Sequence, residues 1–338
     1  MNNYLLIIPI IFSFFVTLFI LPFWMRKARQ IGLVWDDMNK TGKQKVAGSG
    51  GIIAILGFLV GALLFIAYTR FYLKSADNLI EILALLLVIV ILAVIGFIDD
   101  LLGWQHGGLS RTSRLILFII ASIPLMVINA GKHIVAFPFI GIIDLGILYP
   151  LILIPVGITG AAATYNFLAG FNGLEAGQGI ILLSAVGFVA FFTGNSWLTI
   201  ICLCLIAALI AFLLYNFCPA KTFPGDSLTL VIGGMIAIVA ILGDFEKIAV
   251  FFFIPYIIET VLKSRGKLVK HSFGIPKEDG SIGLRYPEVY GLTHAGIYLL
   301  EKAGMKATEK KVVYLIWGFQ IIVILAVLLI FREGIFLR

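Results

Sequence analysis

A chain of 338 residues that is 61% hydrophobic, only 13% charged and has a mean hydropathy of +1.09 carries more apolar side chain than a soluble core of this size needs, and is expected to be a polytopic membrane protein. Its formal net charge of +7 is what basic residues flanking membrane spans produce, so nucleic-acid binding is excluded as the reading of the charge. Cys202, Cys204 and Cys218 lie in or beside apolar helix and form neither a disulfide framework nor a metal-ligand pattern.

Ten apolar runs predict ten spans, at about 4–24, 48–69, 79–98, 113–130, 147–165, 179–194, 196–217, 227–243, 247–262 and 312–331. The first is too long for a cleaved signal peptide and lacks its basic front end. Arg26, Lys27 and Arg29 follow it instead, which puts the N-terminus outside and the next loop inside. Carried along the chain, the alternation puts 19 of the 25 lysines and arginines in inside loops and 6 outside, with both termini outside. The sequon Asn39-Lys40-Thr41 then falls inside and is expected to remain unmodified. Outside, the segment 131–146 has two β-prone runs broken by Pro and Gly, which predicts a small external hairpin with His133 and Asp144 as exposed turn residues. With no internal repeat and no second soluble domain, residues 1–338 read as a single all-α integral-membrane domain.

The inside loops carry the polar chemistry. In chain order they hold Asp36-Asp37-Met38-Asn39-Lys40, then Asp99-Asp100, then Asn166 to Gln178, then Pro224-Gly225-Asp226-Ser227, and finally Lys270-His271. Their arrival on one side points to one active site. Asp99 and Asp100 come straight off an apolar helix, about 100° apart, so they address one ligand only if the helix ends there. Carboxylates at a helix C-terminus oppose its dipole, a cost that a hard cation or a basic partner offsets. Asp226 sits at a helix start, where it suits an N-cap, a metal ligand beside bound phosphate, or both. In NFLAGFNGLEAGQG, Gly170, Gly173 and Gly177 permit close backbone approach to a flat ligand, and Asn166 and Asn172 supply donors and acceptors. Tight helix packing is the alternative use of such glycines. Arg114, Lys270 and His271 are candidates to neutralise a pyrophosphate, against the bland reading of positive-inside flanking.

DMNK, the IDD pair, NFLAGFNGLEAGQ, FPGDSLT and KHSFGIP stand in an order that resembles the polyprenyl-phosphate N-acetylhexosamine-1-phosphate transferase superfamily. The chain looks most like the branch of UDP-N-acetylglucosamine–dolichyl-phosphate transferases. The resemblance covers nearly the whole chain, and NGLEAGQ with GDS is its specific part. It implies transfer of a sugar phosphate from a UDP-sugar, UDP-N-acetylglucosamine in this branch, to a polyprenyl or dolichyl phosphate, with release of UMP and Mg²⁺ as cofactor, Mn²⁺ substituting. It implies Asn166 and Asp226 at the metal, Gly170 and Asn172 at the uridine, Arg114 near the phosphates, and Asp99 and Asp100 as the family's acidic pair. Asp37, Asn39, Lys40, Glu175, Lys270 and His271 complete the expected substrate-binding set, Glu175 without a defined role. The aspartate-rich DGLDGLA and triple-histidine loop of the bacterial peptidoglycan-precursor transferase are absent, which disfavours its muramoyl-pentapeptide substrate. The arginine-rich HRIPR of the dolichol branch is replaced by KHSFGIPK, so the pyrophosphate clamp is open among Lys270, His271 and Lys277.

The lipid phosphate, with a second pKa of roughly 6, is already largely dianionic at neutral pH, so the chemistry needs charge screening more than a strong base. The lipid chain needs a groove open to the bilayer, expected near Pro155 or Pro255, where helices kink. A transporter or flippase is the rival class, but it requires ionisable groups at mid-membrane, where these spans have almost none. Compact loops without a C-terminal retention signal lead to the expectation of an archaeal plasma membrane with a cytoplasmic site, or an endoplasmic-reticulum membrane in a eukaryote. A homodimer is a further expectation.

Overall fold

The computed structural model describes residues 3–42, 44–137 and 141–336 and is mostly helical. The chain opens with α1 (Ile7–Ile31), then a short antiparallel pair, β1 (Val34–Asp36) with β2 (Lys45–Ala47). Next come α2 (Gly51–Ala67), extended by a π-helical turn at Tyr68–Tyr72, α3 (Leu79–His106) and α4 (Arg111–Val127). A hairpin, β3 (Ile134–Phe137) with β4 (Gly141–Asp144), precedes α5 (Ile154–Tyr165). The helices α6 (Leu174–Phe192), α7 (Ser196–Asn216) and α8 (Gly225–Leu242) follow, then the shorter α9 (Glu246–Phe252) and α10 (Ile254–Arg265). A two-residue pair, β5 (Ile275–Pro276) with β6 (Ile282–Gly283), leads to α11 (Leu292–Lys302), α12 (Glu309–Ile330) and α13 (Arg332–Phe336). The hairpin expected over 131–146 is present; residues 138–140 of its turn lie outside the described residues.

Among the described residues, seven helices are long and apolar enough to cross a membrane: Tyr4–Ile31, Gly51–Tyr72, Leu79–Trp104, Leu174–Phe192, Ser196–Asn216, Gly225–Leu242 and Glu309–Ile330. The other three expected spans fall on shorter or interrupted helix. The run 113–130 lies on α4, of 17 residues. The run 147–165 combines a π-helical turn at Tyr149–Leu153 with α5, and the two parts carry Pro150 and Pro155. The run 247–262 is divided between α9 and α10 at Phe253, two residues before Pro255. A proline lacks the N–H that an unbroken helix needs, so regularity is lost just where the apolar pattern alone reads as continuous.

The core sits around α8, buried along nearly its whole length against α3, α5 and α6, as expected of a helix that is apolar on every face. Small residues let neighbours close in. Gly57 and Gly61 of α2 face α1, where an added Cβ would lie 2.0 Å from Thr17 Oγ1 and 1.9 Å from Ser13 Oγ respectively. Gly96 of α3 meets the start of α8, and a Cβ there would fall 2.5 Å from Ser227 Cα. That approach brings the acidic end of α3 against the first turn of α8.

Candidate active site

A cavity of about 660 Å³ opens at the ends of α3, α5 and α8. Nine of the expected residues line it: Asp37, Asp99, Asp100, Arg114, Asn166, Gly170, Asn172, Glu175 and Asp226.

The acidic wall is built differently from the expectation. α3 does not end at Asp100 but runs on to His106, closed by Gly107 in the left-handed region. The two carboxylates therefore point to different partners. Asp99 accepts the Leu109 N–H at 2.7 Å and pairs with Arg114 Nε at 2.7 Å. Asp100 turns to α8, where it accepts the Asp226 N–H at 2.7 Å and Ser227 Oγ at 3.4 Å. Asp226 is thus not the N-cap of α8. The cap position is Pro224, without a side-chain bond of its own, and Asp100 satisfies the orphan backbone donor from outside. This frees the Asp226 carboxylate for the cavity, where Arg114 Nη1 stands 3.4 Å away. Arg114, on the first turn of α4, bridges two carboxylates, and with the α8 N-terminus it offsets the cost of acids in the last turns of α3. The turn into α8 requires Gly225, at φ +73°, where a Cβ would meet Asp100 Oδ2 at 2.2 Å.

The opposite wall is the loop between α5 and α6. Asn166 ends α5, and its amide oxygen accepts Thr229 Oγ1 at 3.1 Å, which brings it beside the first turn of α8. Gly170, at φ +109°, donates its N–H to Glu175 Oε1 at 2.8 Å, and a Cβ there would meet Phe273 at 2.8 Å. Glu175, for which the sequence offered no role, therefore holds the loop that faces the cavity. The Asn172 amide donates to Asp37 Oδ2 at 2.8 Å and Glu309 Oε2 at 3.3 Å. Gly177 is a packing glycine rather than a ligand-facing one: Trp317 covers it, and a Cβ would lie 1.9 Å from that ring. Gly173, at φ +86°, likewise faces Phe217 and not the cavity.

Asn39 and Lys40 stand just behind this wall. Asn39 Nδ2 donates to the Gly170 carbonyl at 2.9 Å, and the Lys40 ammonium pairs with Glu309 and contacts Cys218 Sγ at 3.1 Å. Burial lowers the Lys40 pKa, but the bond and charge of Glu309 outweigh that and carry it up to about 12. Burial raises that of Asp37, with the nearby Glu309 charge adding to the rise. Lys270 and His271 do not line the cavity. Lys270 lies 4.7 Å over the Tyr286 ring, and His271 stacks on Phe273 at 6.4 Å. The late loop reaches the cavity through Phe273 instead. Thr229 and Phe273 fall inside FPGDSLT and KHSFGIP, but neither side chain carries chemistry that singles it out, and Glu309 falls in no motif at all.

The donors around the cavity suit a hard cation: carboxylates of Asp99, Asp100 and Asp226 and the amide oxygen of Asn166, with no histidine or cysteine among the described residues of the lining. Among the described residues no three or more of His, Cys, Asp and Glu close around an ion by themselves. That fits Mg²⁺, which takes one or two protein carboxylates and completes its shell with phosphate oxygens and water.

A wall of carboxylates, arginine and amides at one end of an apolar bundle with seven helices long enough to span a membrane is the polar site of a multi-span membrane protein. Residues 82–244 match the model of glycosyl transferase family 4. A Saccharolobus solfataricus protein provisionally named UDP-N-acetylglucosamine–dolichyl-phosphate N-acetylglucosaminephosphotransferase is 35% identical, over 96% of each chain. The Dictyostelium discoideum protein of that name is 31% identical over 68% of this chain and 64% of its own. A phospho-N-acetylmuramoyl-pentapeptide-transferase of Halalkalibacterium halodurans is 30% identical over 78% of this chain and 85% of its own. The chain belongs to glycosyl transferase family 4.

Proposed function

We propose that the protein transfers N-acetylglucosamine 1-phosphate from UDP-N-acetylglucosamine to a polyprenyl phosphate of the dolichyl type, giving the lipid diphosphate sugar and UMP. The observation that carries this reading is 35% identity, over 96% of the length, to a relative bearing that name, with nine of the expected residues gathered around one cavity. A lipid phosphate oxygen forms a bond to the sugar-bearing phosphorus as the bond from that phosphorus to UMP breaks. The dianionic nucleophile needs no proton removed, so Asp99 and Asp100 organise the site and do not act as bases. Arg114, held by Asp99 and Asp226, supplies positive charge where two anions must approach. Asp226 and Asn166 would hold Mg²⁺, which when bound screens the pyrophosphate and stabilises the charge of the in-line transition state. Gly170, Asn172 and Glu175 form the nucleotide side, backed by Asp37, Asn39 and Lys40. Lys270 and His271 belong to the late loop that borders it through Phe273.

The excess of basic residues in alternate loops supports ten spans with both termini outside, the hairpin of β3 and β4 outside and the cavity facing the cytoplasm. Three of those spans would then use the short or interrupted helices. A plasma membrane of archaeal type and a homodimer complete the proposal.

Purified protein with Mg²⁺, a panel of UDP-sugars and either dolichyl or undecaprenyl phosphate is expected to release UMP with UDP-N-acetylglucosamine, and to stop when EDTA removes the metal. No UMP with any pair would overturn the transferase reading; preference for a muramoyl-pentapeptide donor would move the chain to the other named activity.

A further inference from the structure

Glu309 lies outside every motif of the sequence. It opens α12 just after the Thr308 cap and is 3% exposed. Its Oε1 accepts the Asn172 N–H at 2.9 Å and Asn39 Nδ2 at 3.3 Å. Its Oε2 accepts Asn172 Nδ2 at 3.3 Å, Cys218 Sγ at 3.2 Å and the Lys40 ammonium. Three segments distant in sequence thus converge on one side chain of a fourth. A carboxylate with about four acceptor sites is fully engaged by these donors and has nothing left for a ligand.

The position of this carboxylate is set by the docking of α12 on α6. Trp317 seats on Gly177, where no Cβ fits, and its Nε1 donates to the Leu174 carbonyl at 3.4 Å. Gln178 Nε2 reaches the Ile316 carbonyl at 3.5 Å. Glu309 stands eight residues before Trp317, about 12 Å along the helix, which carries it to the loop ahead of α6. From there the bonds run on into the cavity wall: Asn172 to Asp37 at 2.8 Å, Asn39 to the Gly170 carbonyl at 2.9 Å, and the Gly274 N–H to Asn39 Oδ1 at 3.3 Å. Asp99, Asp100, Arg114 and Asp226 have their own partners and share none of this network.

We propose that Glu309 is the positioning residue of the nucleotide-sugar half of the cavity: it locks Gly170–Asn172 and Asn39–Lys40 into one arrangement and has no hold on the acidic wall. The kinetic part of this inference rests on the proposed reaction; the structural part does not. Without the carboxylate, the half-buried Lys40 ammonium, the Asn172 N–H and the side-chain amides of Asn39 and Asn172 each lose an acceptor, a change that loosens the loops they belong to.

The test uses the full-length protein with Glu309→Gln, which keeps the size but turns an N–H₂ toward Lys40, and Glu309→Asp, which keeps the charge one methylene short. For Glu309→Gln, KM for UDP-N-acetylglucosamine is expected to rise about tenfold with kcat within about threefold and KM for the lipid phosphate unchanged. Glu309→Asp should fall between it and the wild type. Hydrogen exchange, which needs no turnover, should accelerate at 36–42 and 166–173 and stay as in the wild type at 95–110 and 223–230. Unchanged exchange at the first two segments overturns the proposal whatever the activity, and so does an equal rise in KM for both substrates. If the wild type makes no UMP with any donor, the proposed reaction fails and exchange alone decides the positioning role. If Glu309→Gln does not fold, Glu309→Asp decides it by the same pattern, and wild-type exchange in that variant overturns it.

Discussion

Arg114 bridges two neighbouring carboxylates of the acidic wall, at 2.7 Å from Asp99 and 3.4 Å from Asp226. Arg114→Lys keeps the charge but loses the fork that spans both partners, and is expected to cost about tenfold or more in kcat, with Arg114→Met costing about a hundredfold; wild-type kcat in Arg114→Met would remove it from the chemistry. Asp100 is expected to act through α8, since it caps the turn that carries Asp226. Asp100→Asn should therefore weaken metal and UDP-sugar binding together with turnover. Intact binding with a steep, pH-dependent loss of turnover would instead make it a base. Lys40 contributes no pH dependence near neutrality. Its pKa is raised to about 12, so its stabilising charge is fully present below the ordinary lysine value and is lost only as pH climbs through the raised one. The side chains with obvious chemistry were legible in the sequence. Glu309 and Phe273 were not, because their roles come from contacts 137 residues and 103 residues away in the chain, Asn172 to Glu309 and Gly170 to Phe273.

Helix ends decide which atoms the cavity receives. The apolar run stops at Ile98, yet α3 continues through Asp99 and Asp100 to His106, because Arg114, the Leu109 N–H and the α8 N-terminus replace the water those acids would otherwise need. Hydropathy reports where lipid-compatible sequence ends, not where a helix ends. The approach of α3 to α8 depends on Gly96, and Gly96→Ala is expected to destabilise the detergent-solubilised protein by about 1–3 kcal/mol, read as a lower melting temperature. Gly103→Ala on the same helix, where a Cβ would meet only Trp35 at an ordinary 3.7 Å, should leave stability unchanged or raise it slightly. Equal melting losses in the two variants would mean that helix propensity, not close packing, governs both sites. Pro150, Pro155 and Pro255 were visible in the sequence, and the structure places each in the first turn of a new helical segment, where its missing N–H costs no helical bond.

At the scale of the whole molecule, the proposed orientation has a direct test. Asp77 and Glu278 are both exposed and lie in loops expected on opposite sides. In intact cells, Asp77→Cys is expected to react with a membrane-impermeant thiol reagent and Glu278→Cys to react only after permeabilisation; the reverse pattern would invert the topology. The class of the protein could be read from the chain alone, because apolar length and the bias of basic charge are summed along it and need no partner. Most of the polar cluster was legible too, because amides and carboxylates are costly at a bilayer unless they line a shared cavity, but Lys270 and His271 fall outside the lining and Phe273 and Thr229 enter it. The division of labour within that cluster came from the packing of the helices. Asp100 caps α8, Asp226 faces the cavity beside Arg114, Gly177 serves packing, and Glu309 on the last long helix ties three loops together. Each of these depends on which group fills the space opposite, and that is set by how the helices dock, not by the order of residues along any one of them.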